Sequence, residues 1–244
     1  METSTDPTIY YNSLACIPMR KEGSHRSEMV SELIHGEPFY LTGESKPDWI
    51  EIETKLDSYK AWIATNQFRP LKEKADILIR SCFIQSKSDQ IIGYMSGYLS
   101  SQQYIVQDSA EISLQRATPI ERIQQLTDPW LETPYLWGGK TIHGVDCSGF
   151  VQVIFRQLGI QLPRDAYQQA EKGDTIEWSD RKTGDLAFFQ EKERITHVGI
   201  LLDSNRIIHA SGCVRIDTID KKGITHNGTY THSLTHIKNL RIFD

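Results

Sequence analysis

Asp146-Cys147-Ser148-Gly149-Phe150-Val151-Gln152-Val153-Ile154-Phe155-Arg156-Gln157-Leu158 decides how this chain is read. Its apolar residues Phe150, Val151, Val153, Ile154 and Leu158 recur at helical spacing, and Gly159 stops the run, so a helix is expected over 148–158. Cys147 then stands at the N-terminus of a buried helix. The unpaired N–H groups and positive dipole end found there favour thiolate over thiol, which predicts a lowered pKa and a reactive cysteine. Fifty residues on, Thr196-His197-Val198-Gly199-Ile200-Leu201-Leu202 reads as a buried strand with a histidine at its start. Arg206-Ile207-Ile208-His209-Ala210-Ser211 reads as a second. The turn residues Asp203-Ser204-Asn205 between them predict a hairpin, and neighbouring antiparallel strands lie about 5 Å apart, so the two imidazoles come within reach of each other. Cys147 is therefore the candidate nucleophile, His197 the base and His209 the group that orients His197. Backbone N–H groups at the helix start would hold the oxyanion.

Each residue also has a plainer reading. A cysteine in a helix is more often a small core residue than a nucleophile, although the polar neighbours Asp146 and Ser148 count against that here. Cys16, Cys82 and Cys213 read as packing residues, and Trp49 and Trp62 as core. His143, His226, His232 and His236 fall in expected loops and read as facing solvent. Zinc is a rival use of Cys147, His197, His209 and Asp146, but no HExxH, CxxC or His-x-His pair supplies ligands at short range. No metal and no cofactor is assigned.

Composition narrows the classes further. The 244 residues are 39% hydrophobic, enough for well-packed cores and for one large domain or two ordinary ones. A net charge of -5 without any basic cluster excludes a nucleic-acid footprint. No apolar run is long enough to span a membrane, and Met1-Glu2-Thr3-Ser4-Thr5-Asp6-Pro7 lacks the features of a secretion signal. The expected location is the cytoplasm, or the periplasm or exterior if a signal peptide has been removed; four cysteines without a dense framework fit a reducing compartment. A monomer is expected.

The texture changes near Arg116-Ala117-Thr118-Pro119. Before this seam, runs such as 31–42, Trp49-Ile50-Glu51-Ile52-Glu53 and Lys60-Ala61-Trp62-Ile63-Ala64 are rich in aromatic and branched residues and separated by turn clusters, which predicts a small barrel. After it, helices at 119–126 and 148–158 and strands at 185–189, 197–202, 206–210 and 237–242 predict an antiparallel sheet packed on helices. The fold class is α+β. The expected divisions are 1–70, 71–116 (a second barrel or an elaboration of the first) and 117–244.

Ordered motifs across 117–244 resemble the NlpC/P60 family of cell-wall cysteine peptidases. They are Tyr135-Leu136-Trp137-Gly138-Gly139, Asp146-Cys147-Ser148-Gly149, Leu162-Pro163-Arg164 followed by Gln168 or Gln169, and Gly184-Asp185-Leu186. His197-Val198-Gly199-Ile200 and Ile208-His209-Ala210-Ser211 complete the series. Residues 10–70, with Ile17-Pro18-Met19-Arg20, Ser27-Glu28-Met29-Val30 and the stretch from Asp57 to Ile63, are similar to the bacterial SH3-like domains that precede such peptidases; 71–116 fits as a second, degenerate SH3-like segment. The resemblance implies a papain-like fold and hydrolysis of the γ-D-glutamyl to diamino acid bond of peptidoglycan stem peptides, in murein recycling or wall turnover. It also implies recognition of a free N-terminal L-alanine by Asp146 and Ser148, with Tyr59 and Glu28 contributing from the N-terminal part. A buried ammonium needs such carboxylate and hydroxyl partners to offset its lost hydration. Two other readings stay open: a non-catalytic wall-binding module, and an amidase or acyltransferase on the same fold.

Overall fold

The computed structural model describes residues 7–69, 81–85, 91–96, 105–106 and 118–241. The chain divides into two compact units, Met1–Val106 and Gln107–Asp244.

In the first unit, β1 (Tyr10–Tyr11), β2 (Cys16–Arg20), β3 (Met29–Ile34), β4 (Pro38–Lys46), β5 (Trp49–Thr54) and β6 (Lys60–Ala64) form one antiparallel sheet in the order β1-β4-β5-β6-β2-β3, the small barrel expected from the clustered short strands. The apolar run at 31–42 is broken into β3 and β4 because Gly36 takes a left-handed φ of 74°, which reverses the chain. Ile17, Met19, Leu33, Phe39, Ile52, Ala61 and Ile63 fill the core, with Tyr59 packed against it, while Trp49, Trp62 and Ala64 form a second cluster, as their reading as core requires. The expected elaboration at 71–116 lies largely outside the described residues. Within it, β7 (Ser81–Gln85), β8 (Ile91–Ser96) and β9 (Ile105–Val106) pair as a three-stranded sheet in the order β8-β7-β9.

The second unit begins with α1 (Pro119–Thr127), started by a capping box between Thr118 and Glu121. A short hairpin, β10 (Lys140–Thr141) and β11 (Gly144–Val145), leads into α2 (Cys147–Gln157) and then α3 (Ala166–Gln169). Seven antiparallel strands follow: β12 (Asp174–Ile176), β13 (Leu186–Glu191), β14 (Arg194–Leu201), β15 (Arg206–Ser211), β16 (Cys213–Ile219), β17 (Gly223–His226) and β18 (Thr229–Asn239). Their order is β12-β18-β13-β14-β15-β16-β17, with β17 also pairing to β18. The strand expected at 237–242 instead ends at Asn239 and starts at Thr229. That shift moves His232 and His236 out of the expected loops and into the sheet, and His226 likewise lies on β17; His143 stays exposed in the turn of the short hairpin. Phe150, Val151, Val153, Ile154 and Phe155 are all buried, and α2 packs against β14 and β15.

Two irregularities prepare the site. β14 is bulged, with Phe189 opposite His197 and Gln190 opposite Ile195, so Thr196 is the extra residue beside the histidine. The β14–β15 ladder pairs Leu201 with Ile207 and Ile200 with Ile208 and goes no further. Beyond that point Gly199 makes room for the second histidine, since a Cβ there would come within 2.9 Å of the Cβ of His209.

Candidate active site

Asp146 is the N-cap of α2, accepting from the Gly149 N–H at 2.7 Å. Its carboxylate also accepts from the Gly138 N–H at 2.8 Å and from both terminal nitrogens of Arg164, at 2.9 and 2.6 Å. Arg164 donates to the Ser148 hydroxyl at 3.0 Å, and Ser148 in turn reaches Asp146 at 3.3 Å. The pair is buried, with 1% of the Arg164 side chain and 8% of that of Asp146 exposed. A bidentate guanidinium–carboxylate contact is strong only because both groups are fully partnered; removing one partner of such a pair costs about 3–5 kcal/mol. Arg164 thus locks the helix start to the Tyr135–Gly139 loop. The glycines of the two motifs interlock as well, because a Cβ on Gly149 would lie 2.3 Å from the Gly139 carbonyl oxygen.

Cys147 projects from this cap. Its Sγ lies 4.0 Å from the carbonyl oxygen of the bulged Thr196, and the backbone N–H groups of Val198 and Ser148 also point to it. The thiol is therefore held between the two peptide neighbours of His197. Burial nevertheless pushes its pKa up to about 12 and the Asp146 carboxylate adds to this, while the Val198 N–H, the Arg164 charge and the Ser148 N–H at the helix start oppose it. The lowered pKa expected at a helix N-terminus is thus not found; the resting sulfur is a neutral thiol. In the free protein, alkylation of Cys147 by iodoacetamide is expected to accelerate about tenfold per pH unit from pH 7 to 9. Peptide mapping by mass spectrometry follows Cys147 separately from Cys16 and Cys213. A rate already on its plateau at pH 7 would contradict the neutral thiol.

His197 and His209 meet as the hairpin reading requires: Nε2 of His197 lies 2.7 Å from Nδ1 of His209. The sequence reading missed the next member. Asp217, on β16, places Oδ2 3.0 Å from Nε2 of His209. Burial by itself favours the neutral form of Asp217, but hydrogen bonds from His209, His226 and Arg215 outweigh it and hold the carboxyl well below its usual range. The ionised carboxylate accepts only, so Nε2 of His209 carries the proton and its Nδ1 is the acceptor. Nε2 of His197 must then donate to that acceptor. Its remaining nitrogen, Nδ1, is left with a free lone pair, which is the state a general base needs. Burial first, and then the repulsion a second positive charge would meet from His209, His232 and Arg215, keep His197 neutral.

His232 stacks on His197 with ring centroids 4.1 Å apart and planes inclined by 24°. It lines a cleft of about 580 Å³ together with Tyr135, Phe189, Thr196, His197 and Ser211. Burial first, and then the Asp146 carboxylate and the Cys147 sulfur once it ionises at high pH, push the Tyr135 phenol far up, so it remains a donor. Tyr59 and Glu28 belong to the first unit, where the Tyr59 N–H donates to the Thr54 hydroxyl at 3.0 Å and Glu28 faces Lys21 at 3.5 Å.

Residues 132–233 match the NlpC/P60 family. The chain is 41% identical over 106 residues to the murein DD-endopeptidase MepS/murein LD-carboxypeptidase of Escherichia coli (strain K12). That alignment takes in 43% of this chain and 56% of the other, so the chain spans little more than half the length of this relative. Identity to the gamma-D-glutamyl-L-lysine dipeptidyl-peptidase of Bacillus subtilis (strain 168) is 28% over 213 residues, covering 74% of this chain and 71% of that protein. The crystal structure of an NlpC/P60 family protein from Bacillus cereus ATCC 10987 shares the fold at a TM-score of 0.71 and 16% identity, over 96% of this chain and 99% of that one. The match to the NlpC/P60 family falls on residues 132–233, the stretch that carries the thiol helix and the histidine meander.

Proposed function

We propose that the chain is a cysteine peptidase of papain-like arrangement that hydrolyses the γ-D-glutamyl to diamino acid bond of peptidoglycan stem peptides. The observation that carries the reading is the Asp217–His209–His197 relay, which leaves Nδ1 of His197 unprotonated next to the segment that holds the Cys147 sulfur. A neutral thiol and a neutral imidazole make proton transfer part of the attack. Cys147 gives its proton to Nδ1 of His197 as Sγ bonds to the γ-glutamyl carbonyl carbon, and Tyr135, which lines the cleft, is assigned as a donor to the oxyanion. Collapse expels the diamino acid's amine, which takes the proton from His197. Water, deprotonated by the same nitrogen, then releases the acyl group from sulfur.

Asp146 and Ser148 are assigned to the L-alanine amine, with Tyr59 and Glu28 as further substrate-binding residues and the N-terminal barrel as an SH3-like module. The likeness to the B. subtilis gamma-D-glutamyl-L-lysine dipeptidyl-peptidase supports the substrate class. Purified protein given L-Ala-γ-D-Glu-diamino acid tripeptides should release L-Ala-γ-D-Glu, and acetylation of the amine should raise KM at least tenfold, the loss of a charge-assisted contact worth about 1.5–3 kcal/mol. Equal rates on free and acetylated peptides would leave Asp146 and Ser148 with the structural role their bonds to Arg164 already describe. Cleavage at another bond would remove the γ-D-glutamyl assignment.

A further inference from the structure

His197, His209 and His232 each offer a ring nitrogen, and the three nitrogens lie within 4.8 Å of one another. They come from β14, β15 and β18, so the sheet and not a local turn brings them together. The peptidase reading uses the first two and leaves the third unexplained. We propose that this trio is a binding site for a zinc ion, reached from the cleft, and that occupancy switches the peptidase off.

The donor set is that of a three-histidine zinc centre with one open position, here on the cleft side where His232 is half-buried and lines the wall. The outer shell is in place as well. Nε2 of His209 is committed to Asp217, which leaves Nδ1 for the ion and repeats the carboxylate–histidine–metal arrangement that fixes a ligand's tautomer and raises its basicity. Nδ1 of His232 is 2.9 Å from the Thr231 hydroxyl, so its Nε2 is the available nitrogen. At 2.7 Å the His197 and His209 nitrogens are closer than two ligands of a tetrahedral zinc, which at Zn–N distances of ~2.0–2.1 Å stand roughly 3.3 Å apart. Loading therefore parts the pair by a few tenths of an ångström and replaces their shared proton with the ion.

That exchange explains the expected inhibition. With zinc on Nε2 of His197, the proton formerly there moves to Nδ1, and the ring stays neutral. The nitrogen that should accept the Cys147 proton is then already protonated. The consequence for turnover rests on the peptidase reading, whereas the binding does not.

The test is equilibrium dialysis of the full chain against zinc chloride in chelator-free buffer, for wild type and for Cys147→Ala, His232→Ala, His232→Gln and Asp217→Asn, each checked for folding by circular dichroism. One zinc per chain is expected for wild type and for Cys147→Ala. Asp217→Asn should weaken binding about 10–100-fold, as loss of an outer-shell carboxylate does, and both His232 variants by at least as much. X-ray absorption of the zinc-loaded wild type should show only nitrogen and oxygen neighbours. Substoichiometric binding, unchanged affinity in the His232 variants, or a sulfur neighbour at ~2.3 Å would overturn the site. If zinc binds as described but no stem peptide is cleaved with or without it, the site stands and the peptidase reading falls.

Discussion

Cys147→Ala should abolish cleavage of the γ-D-glutamyl bond, lowering kcat by about 10⁵–10⁶-fold, or roughly 7–8 kcal/mol of transition-state stabilisation. The size of the effect follows from the absence of a substitute: among the described residues the Cys213 sulfur faces the Glu132 carboxylate at 3.9 Å, and Cys16 lies on β2 of the first unit. The fold should survive, because Asp146 still caps α2 and still pairs with Arg164, and neither contact uses the sulfur. The measurement is product release by mass spectrometry, with circular dichroism on the same sample. A folded variant that turns over at the wild-type rate would remove the covalent mechanism altogether. A wild-type protein that binds stem peptide without turnover would support the wall-binding module instead, and products joined to an added amine would support an acyltransferase.

Asp217→Asn is expected to lower kcat by about 10³–10⁴-fold, with little change in KM. The carboxamide is close to isosteric, but it can present N–H₂ where the carboxylate only accepts. His209 then shifts its proton to Nδ1, and Nε2 of His197 becomes the acceptor in the 2.7 Å contact. Nδ1 of His197 carries the proton, and the base faces the thiol in the wrong tautomer. Loss of a buried carboxylate behind a catalytic histidine costs about 10⁴ for this reason in serine proteases. Steady-state kinetics on the tripeptide, with thermal melting to separate stability from rate, makes the comparison. A variant that keeps more than a tenth of the wild-type kcat would show that Asp217 does not set the tautomer.

Much of this site is legible in the residues, and the part that is not has definite physical causes. The thiol helix is marked by apolar spacing and an Asp cap, and the hairpin that joins the histidines by Asp203-Ser204-Asn205, where Asp203 accepts from the Asn205 and Arg206 N–H groups at 2.9 Å. Asp217 escapes because its role depends on the register of β15 and β16, in which His209 stands opposite Arg215 and Asp217 two residues further on. The alternation Val214-Arg215-Ile216-Asp217-Thr218-Ile219 is the signal that marks that strand. His232 escapes because Thr229–Ser233 carries no apolar alternation and is held in the sheet by pairing with β17 and β13. The thiol's pKa is a matter of magnitude. A helix terminus contributes about 0.3–1 kcal/mol, under one pKa unit, whereas full burial is worth up to 3–5 units in the opposite direction.

His197, His209 and Asp217 all fall within one uninterrupted meander, β14–β15–β16, whose partners are sequence neighbours. Short loops close early and cheaply during folding, so the proton-handling half of the candidate site is assembled from local contacts, while the sulfur arrives from a helix fifty residues upstream. Chain breaks between α3 and β13 would then divide the protein into a self-contained acid–base cassette and a separable nucleophile, two parts whose recombination could be followed by the return of activity.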